Sequence, residues 1–504
     1  MNIKQAKQEI QNTLRAYLAK DELGNYLIPA LRQRPVLLMG PPGIGKTQIM
    51  AQIARETGVG LVAYTITHHT RQSAIGLPFI RQRTYGEREV SVTEYTMSEI
   101  LASVYELMEN TGIKEGILFL DEINCVSETL APMMLQFLQC KTFGNQALPE
   151  GWLIVAAGNP PEYNKSVRDF DVVTLDRVKR MDVAEDFAVW KEYARAKGVH
   201  GAVISYLDIK KEHFYRIETT VDGLQFATAR GWEDLSEIIL AYEKLGLKVD
   251  REVVGQYIQL PRIAKDFANY LELYYKYQRI YHVEDILQGT WQAITVSELR
   301  AAPFDEKLSV MGLVLSRLSE EARVLRQQDA LTTALHGTLK TFKAALERTA
   351  PRQVLEQLIQ SRQAAMKMAK EAGQLDKADR DLKTREINAL QAYRTALVDG
   401  DVADEAAFET VKGLFGGEVA RRKELAQRTA SMFDNAFAFL EKTFSQGQEL
   451  VMFVTEITAG ADTSWFVENF GCEAYFRHNK ELLFDQTQQR IRDSILEAKE
   501  QGTF

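Results

Sequence analysis

The sequence predicts an α/β chain: a parallel-sheet domain with helices on both faces over residues 1–182, a helical lid over 183–281, and a long all-helical region over 282–504. Three observations predict it. Apolar runs alternate with amphipathic stretches through the first part of the chain, the pattern of strand–helix–strand units. A glycine-rich loop joins the first apolar run to the first of those helices. Beyond about Met181 strand-like runs fade and helical periodicity carries the rest.

Taken in order, the apolar runs lie at 35–39, 60–67, 116–120 and 152–157. Three of them are nearly continuous rather than alternating, which suits central parallel strands buried on both faces. The helix after the first run begins at Lys46 and stops near Gly58, a residue suited to a left-handed helix end. Between Phe79 and Thr96, FIRQR and REVSVTEYT flank a Tyr85-Gly86-Glu87 turn and predict a β-hairpin inserted before the next helix. Residues 183–281 read as helical, as in EDFAVWKEYARA and IAKDFANYLELYYKY. Long polar helices are expected at 352–398 and 417–445, with breaks at Ala350-Pro351, Asp399-Gly400-Asp401 and Gly416-Gly417, and they can pair as antiparallel hairpins. Segments 450–460 and 465–484 are the most apolar of the end and are expected to dock into that region's core, and Phe437 and Phe439 to pack.

Composition limits the partners. The 504 residues leave room for roughly three domains, with 45% hydrophobic and 26% charged residues, a globular balance. The net charge is −8 and no run of five or six like charges occurs, which argues against a chain wrapped on nucleic acid. The one tight basic cluster late in the chain, Arg421-Arg422-Lys423, shares its helix with Glu418 and Glu424 and reads as a solvated face. No stretch approaches the roughly 18 apolar residues of a membrane span. The polar, helical first segment does not read as a signal peptide, so a cytoplasmic protein without a membrane partner is expected. Cys125, Cys140 and Cys472 form no pattern and are expected to be small buried hydrophobes in a reducing compartment.

The chemistry-bearing residues come next. Gly40-Pro41-Pro42-Gly43-Ile44-Gly45-Lys46-Thr47 fits G-x-x-x-x-G-K-[ST], follows an apolar strand and opens an amphipathic helix. Its glycines let backbone N–H groups curl around phosphates, and the helix N-terminus adds donors and partial positive charge. Lys46 supplies a compact cation for the β- and γ-phosphates, and the Thr47 hydroxyl can ligate Mg²⁺. Asp121 and Glu122 close the run ILFLDE, 75 residues after Lys46. A carboxylate ending a buried strand is costly unless a cation meets it, so Asp121 is expected to hold Mg²⁺ and Glu122 to orient and deprotonate an attacking water. Asn159, at the tip of the strand beside the acidic one, either hydrogen-bonds the γ-phosphate or the water, or forms a plain Asn-Pro turn. Arg177 and Arg180 suit transition-state charge on a phosphoryl group, one of them supplied across a subunit interface; surface ion pairing is the alternative. Arg177 is favoured because it follows Asp176 just after a loop. Arg180 lies in the apparent strand 178–183, on the face of Val178 and Asp182, as a structural ion-pair partner would. Arg230, in TARGW, can reach over the nucleotide from the helical domain or serve only as a helix N-terminal charge.

This ordered set resembles the MoxR-type AAA+ ATPases. The matching pieces are GPPGIGKT (40–47), AIGLP (74–78), LFLDEIN (118–124), ALPEGWLIVAAGNPPEYN (147–164), TLDRVKRMDV (174–183) and TARGW (228–232), and they cover about residues 30–280. The chain beyond 282 is similar to the helical extension of a bacterial subgroup encoded beside proteins with a von Willebrand A-like domain. The resemblance implies a P-loop AAA+ αβα core whose Walker A is Gly40–Thr47 and whose Walker B pair is Asp121 and Glu122. It makes Asn159 sensor 1, Arg230 sensor 2, Arg177 the arginine finger, and the hairpin at 79–96 the helix-2 insert. Two positions depart from the family. Val178 replaces the usual aromatic after the finger, which leaves Arg180 a competitor, and Ala229 replaces the usual proline before sensor 2. The resemblance further implies ATP with Mg²⁺, a ring that is commonly a hexamer, and a protein client, a von Willebrand A-like domain protein being one candidate. The residues at 26–29 carry no code separating adenine from guanine.

Three functions compete. One is an ATPase that remodels a protein partner. The second is a nucleic-acid-stimulated motor or restriction-type NTPase, which needs a basic or aromatic-lined track that the sequence does not offer. The third is a switch without hydrolysis, against which the presence of both Glu122 and Asn159 argues.

Overall fold

The computed structural model describes residues 1–68, 72, 74, 76–86, 88–143, 146–163, 167, 170–220, 223–445 and 447–480. Ile75, the turn residue Glu87, Asn164 and the last part of the 465–484 segment lie outside the described residues. The chain divides into two compact units, residues 1–189 with 356–391, and residues 190–355 with 392–504.

The first unit is built on five parallel strands. In chain order come α1 (Ile3–Leu18), β1 (Val36–Met39), α2 (Lys46–Thr57), β2 (Gly60–Thr65), the hairpin β3 (Pro78–Tyr85) and β4 (Arg88–Tyr95), α3 (Glu99–Thr111) and β5 (Gly116–Asp121). They are followed by α4 (Ala131–Cys140), the short pair β6 (Thr142–Phe143) and β7 (Gln146–Ala147), β8 (Trp152–Gly158), α5 (Val172–Leu175) and β9 (Lys179–Asp182). The sheet order is β2-β5-β8-β1-β9. The three continuous apolar runs are its interior: every residue of β1 and β8, and all of β5 but Asp121, are buried. On one face Val36, Leu38, Ile117, Phe119 and Val155 meet Ile10 and Leu14 of α1 and Ile49 and Ile53 of α2. On the other, Leu37, Leu118, Leu120 and Ile154 meet Ile100 and Val104 of α3 and Met134 and Phe137 of α4. Helices thus cover both faces, as a parallel sheet requires. The helix expected to stop near Gly58 does so, with Gly58 in the left-handed region at φ 70°. The hairpin expected at 79–96 forms over Pro78–Tyr95, and both of its strands are largely exposed.

The chain enters the second unit within α6 (Phe187–Lys197). There follow α7 (Gly201–Ile209), the strands β10 (Arg216–Thr220) and β11 (Gly223–Ala227), α8 (Ala229–Leu245), α9 (Arg251–Tyr257), α10 (Pro261–Tyr281), α11 (Val283–Gln288) and α12 (Ala293–Ala301). The end is wholly helical up to Phe470: α13 (Phe304–Ala345), α14 (Pro351–Glu371), α15 (Lys377–Asp399), α16 (Asp404–Phe444), α17 (Gln448–Ala459) and α18 (Ala461–Phe470).

Several expectations need correction. The stretch 183–281 is not helical throughout, because β10 and β11 pair antiparallel with Ile217 opposite Phe226. Five-residue strands give too little alternation to stand out against flanking helices. The helix expected over 352–398 is two helices turning at Gly373, which has φ 69°. The break expected at Gly416-Gly417 is absent, and α16 runs through both glycines for 41 residues. It is held by antiparallel packing on α13, where Glu321 meets Arg428, Gln328 meets Glu418, Arg422 meets Asp329 and Phe342 stacks near Phe408. Tertiary contact there outweighs the roughly 1 kcal/mol that each glycine costs. Arg422 is accordingly an inter-helix partner rather than part of a purely solvated face. Of the cysteines only Cys472 is buried; Cys125 is half-buried and Cys140 exposed, at the last residue of α4. Phe437, Phe439, Phe453 and Ile457 are buried, as the apolar end of the chain predicts. Among the described residues no helix is long and apolar enough to cross a membrane.

Candidate functional site

The site forms at the ends of β1, β5 and β8. In the sheet β8 lies between β1 and β5, so the loop after each strand emerges beside the next. The loop after β1 is shaped by glycine. Gly45 has φ 93°, a conformation side chains resist, and it caps α2 at the turn into Lys46. At Gly40 a Cβ would stand 2.4 Å from the Val183 carbonyl oxygen, so only glycine lets the loop pass the end of β9.

Lys46 is buried, and its Nζ donates to the carbonyls of Gly40 (2.7 Å) and Pro41 (2.8 Å) and to Asn159 Oδ1 (2.9 Å). The lysine thus reaches from the glycine-rich loop to the tip of β8. Thr47 Oγ1 donates to Asp121 Oδ2 at 2.8 Å, joining the first turn of α2 to the end of β5. Asp121 Oδ1 accepts from the Glu122 backbone N–H at 2.9 Å. Glu122 sits at φ 57°, a sparsely populated conformation that costs on the order of 1–3 kcal/mol and gathers at functional sites. Its Oε2 accepts from Thr67 Oγ1 at 2.7 Å. Lys46, Thr47, Asp121, Glu122 and Asn159 are therefore tied into one tip of the sheet.

Two members of this cluster escaped the sequence reading. Thr67, just past β2, carries no motif and is recognisable only once it meets Glu122. Asn124 is buried, its Nδ2 donates to the Asn159 carbonyl at 2.8 Å, and its Oδ1 accepts from the Asn159 N–H at 3.3 Å. It orients the Asn159 backbone, and its signal was its place two residues after Glu122 in LFLDEIN.

The arginines are not in this cluster. Arg177 lies just past α5, exposed, with its guanidinium on Gln139 of α4. Arg180 lies in β9 and pairs with Asp182 at 2.9 Å, the ion pair its strand position predicts. Arg230 belongs to the second unit, exposed on the first turn of α8, where Thr228 Oγ1 caps the Gly231 N–H at 3.2 Å.

Residues 35–178 match the family model of the AAA domain of the dynein-related subfamily, a span that contains every member of the cluster. The match supports an AAA+ ATPase. The chain is also similar to the ATPase family gene 2 protein homolog B of Bos taurus and that of Mus musculus, each 34% identical over 93 residues. The aligned stretch is 18% of this chain and 10% of either relative, so the chain spans about a tenth of the length of the curated relatives it matches.

Proposed function

We propose that the chain is a MoxR-type AAA+ ATPase that hydrolyses ATP with Mg²⁺ and uses the cycle to remodel a protein partner, working as a ring. The observation that carries the reading is the bonded tip of the sheet, where the lysine of a glycine-rich loop, a Thr–Asp pair, a strained Glu and an Asn converge. Lys46 and the N–H groups of residues 43–47 hold the phosphates; the ammonium, now on loop carbonyls, is within reach of them. The Thr47 hydroxyl and Asp121 carboxylate are hard oxygen donors 2.8 Å apart, the type Mg²⁺ takes, and they would hold it. When bound, the ion neutralises phosphate charge. Glu122 takes the proton of the attacking water, and Asn159, oriented by Asn124, positions that water or the γ-phosphate. Arg177 completes a neighbour's site, which is the reason for a ring.

The test is a pair of variants. Lys46→Ala should abolish nucleotide binding in an equilibrium titration, because the phosphate charge loses its fixed cation. Glu122→Gln should bind ATP as the parent does and release no phosphate. Wild-type hydrolysis by Glu122→Gln would remove Glu122 from the role of base. Captured on that variant from native cells, a von Willebrand A-like protein would support the client reading, and phosphate release stimulated by DNA instead would favour the motor.

A further inference from the structure

The tip of the α14–α15 hairpin belongs to the first unit, although its two helices run on into the second. It seats on the short segment that links the end of α2 to the start of β2. The Ala372 carbonyl accepts from the Leu61 N–H at 3.3 Å, and Gln374 Nε2 donates to the Val59 carbonyl at 2.8 Å. The Arg55 guanidinium pairs with Asp376 and lies 3.5 Å from Asp379. Ala372 is 1% exposed, and a Cβ on Gly373 would stand 3.2 Å from the Leu61 carbonyl oxygen, so the fit is close. Here β2 is an edge strand, whose outer backbone groups need a partner or a cover, and the tip supplies one.

The seat is joined to the chemistry at both ends. Arg55 is in the last turn of α2, and the first turn, about 12–14 Å away along the helix, carries Lys46 and Thr47. The strand that starts at the seat leads to Thr67, whose hydroxyl holds Glu122. The contact is also of a kind that opens readily. Every side chain in its ion pairs is more than a third exposed, and exposed pairs are weak and sensitive to salt.

We propose that the hairpin tip is an autoinhibitory latch. Seated, it caps β2 and holds the α2–β2 segment in the arrangement in which Thr67 restrains Glu122. Released, it frees that segment and raises ATP turnover. Load applied to α14 and α15 beyond the tip is what would release it. The turnover arm rests on the ATPase reading above; the docking arm does not.

The experiment uses the full chain, with amide hydrogen exchange at Leu61 and 372–376 read beside phosphate release. Arg55→Glu should speed exchange at those amides and raise turnover roughly threefold, the scale set by one or two exposed ion pairs. Asp376 also caps α15, accepting from the Asp379 N–H at 2.7 Å, so the rescue keeps that acceptor. Arg55→Glu combined with Asp376→Asn and Asp379→Lys should return both readouts to the parent values. Gln374→Ala, which leaves all charges in place, should move both readouts in the direction of Arg55→Glu. Unchanged exchange in Arg55→Glu and Gln374→Ala would overturn the latch. Faster exchange with equal or lower turnover would overturn its inhibitory role. A parent chain with no turnover would instead sink the ATPase reading, and exchange alone would then decide whether the tip is latched.

Discussion

Lys141 shows that a single buried charge outside the candidate site bears on the stability of the fold. It follows α4 in a left-handed conformation at φ 57°, it is 7% exposed, and its Nζ has no hydrogen-bond partner among the described residues. Burial holds its pKa down at about 8, against 10.5 for an ordinary lysine. Between those values the unfolded chain binds a proton that the folded chain does not, so stability should rise with pH from about 8 to about 10.5. Below about 8 both states are protonated and the full cost of burying the ammonium is present. Lys141→Met keeps the apolar stem and removes the charge. Chemical denaturation at pH 7 should find it more stable by on the order of 1–3 kcal/mol, and a pH series should find the alkaline rise flattened. Equal stability of parent and variant from pH 7 to pH 10 would show that the ammonium is solvated. At the same scale the candidate site divides cleanly. Lys46, Thr47, Asp121, Glu122 and Asn159 were legible because each sits at a fixed offset in a local motif. Thr67 was not, because its role exists only through a partner 55 residues away.

Among the elements, α16 shows best why local signals mislead. Gly416-Gly417 is a strong breaker pair in isolation, yet the helix continues because α13 lies along it. A Cβ on Gly413, Gly416 or Gly417 would meet nothing within 4 Å, and none of the three has positive φ. Alanine at Gly416 and at Gly417 should therefore stabilise the chain by about 0.5–1 kcal/mol each, measured by thermal or urea unfolding of the second unit. A loss of stability would mean that the glycines serve a bend or a contact. The sheet of the first unit is the opposite case. Continuous apolar runs identified β1, β5 and β8 directly, because burial on both faces leaves no polar alternation to confuse the reading.

For the whole molecule the open matter is assembly, and it turns on the two arginines. Neither guanidinium bonds the Lys46–Asp121 cluster of its own chain; Arg177 is exposed on Gln139, and Arg180 is paired with Asp182. An arginine finger acting on a neighbour would look like Arg177. ATP with Mg²⁺ should drive the purified protein into a larger assembly in native mass measurement. Within it Arg177→Ala should lose about 10³–10⁵ in turnover. Mixing in Lys46→Ala protein, which lends an intact arginine but cannot hydrolyse, should restore activity to the Arg177→Ala sites. Arg180→Ala should turn over nearly as the parent does, since an exposed ion pair is worth about 0–1 kcal/mol. Normal turnover by Arg177→Ala and none by Arg180→Ala would exchange the two roles, and full activity in a strict monomer would end the trans argument.

The sequence by itself determined what depends on neighbours in the chain. It located the buried strands, the phosphate-type loop and its helix to the stop at Gly58, the inserted hairpin, and the order of Lys46, Asp121, Glu122 and Asn159. Those signals are periodicity and short spacing, which are local physics. Only the tertiary structure decided what depends on residues far apart in the chain meeting. It placed β8 between β1 and β5, so that Lys46 reaches Asn159. It set Thr67 on Glu122 and Asn124 on Asn159, carried α16 through two glycines, and turned α14 into α15 at Gly373 so that the turn covers the β2 edge. Edge capping, helix pairing and side-chain handoffs across 35 to 315 residues have no local signature, because the free energy that selects them resides in contacts the linear pattern does not contain.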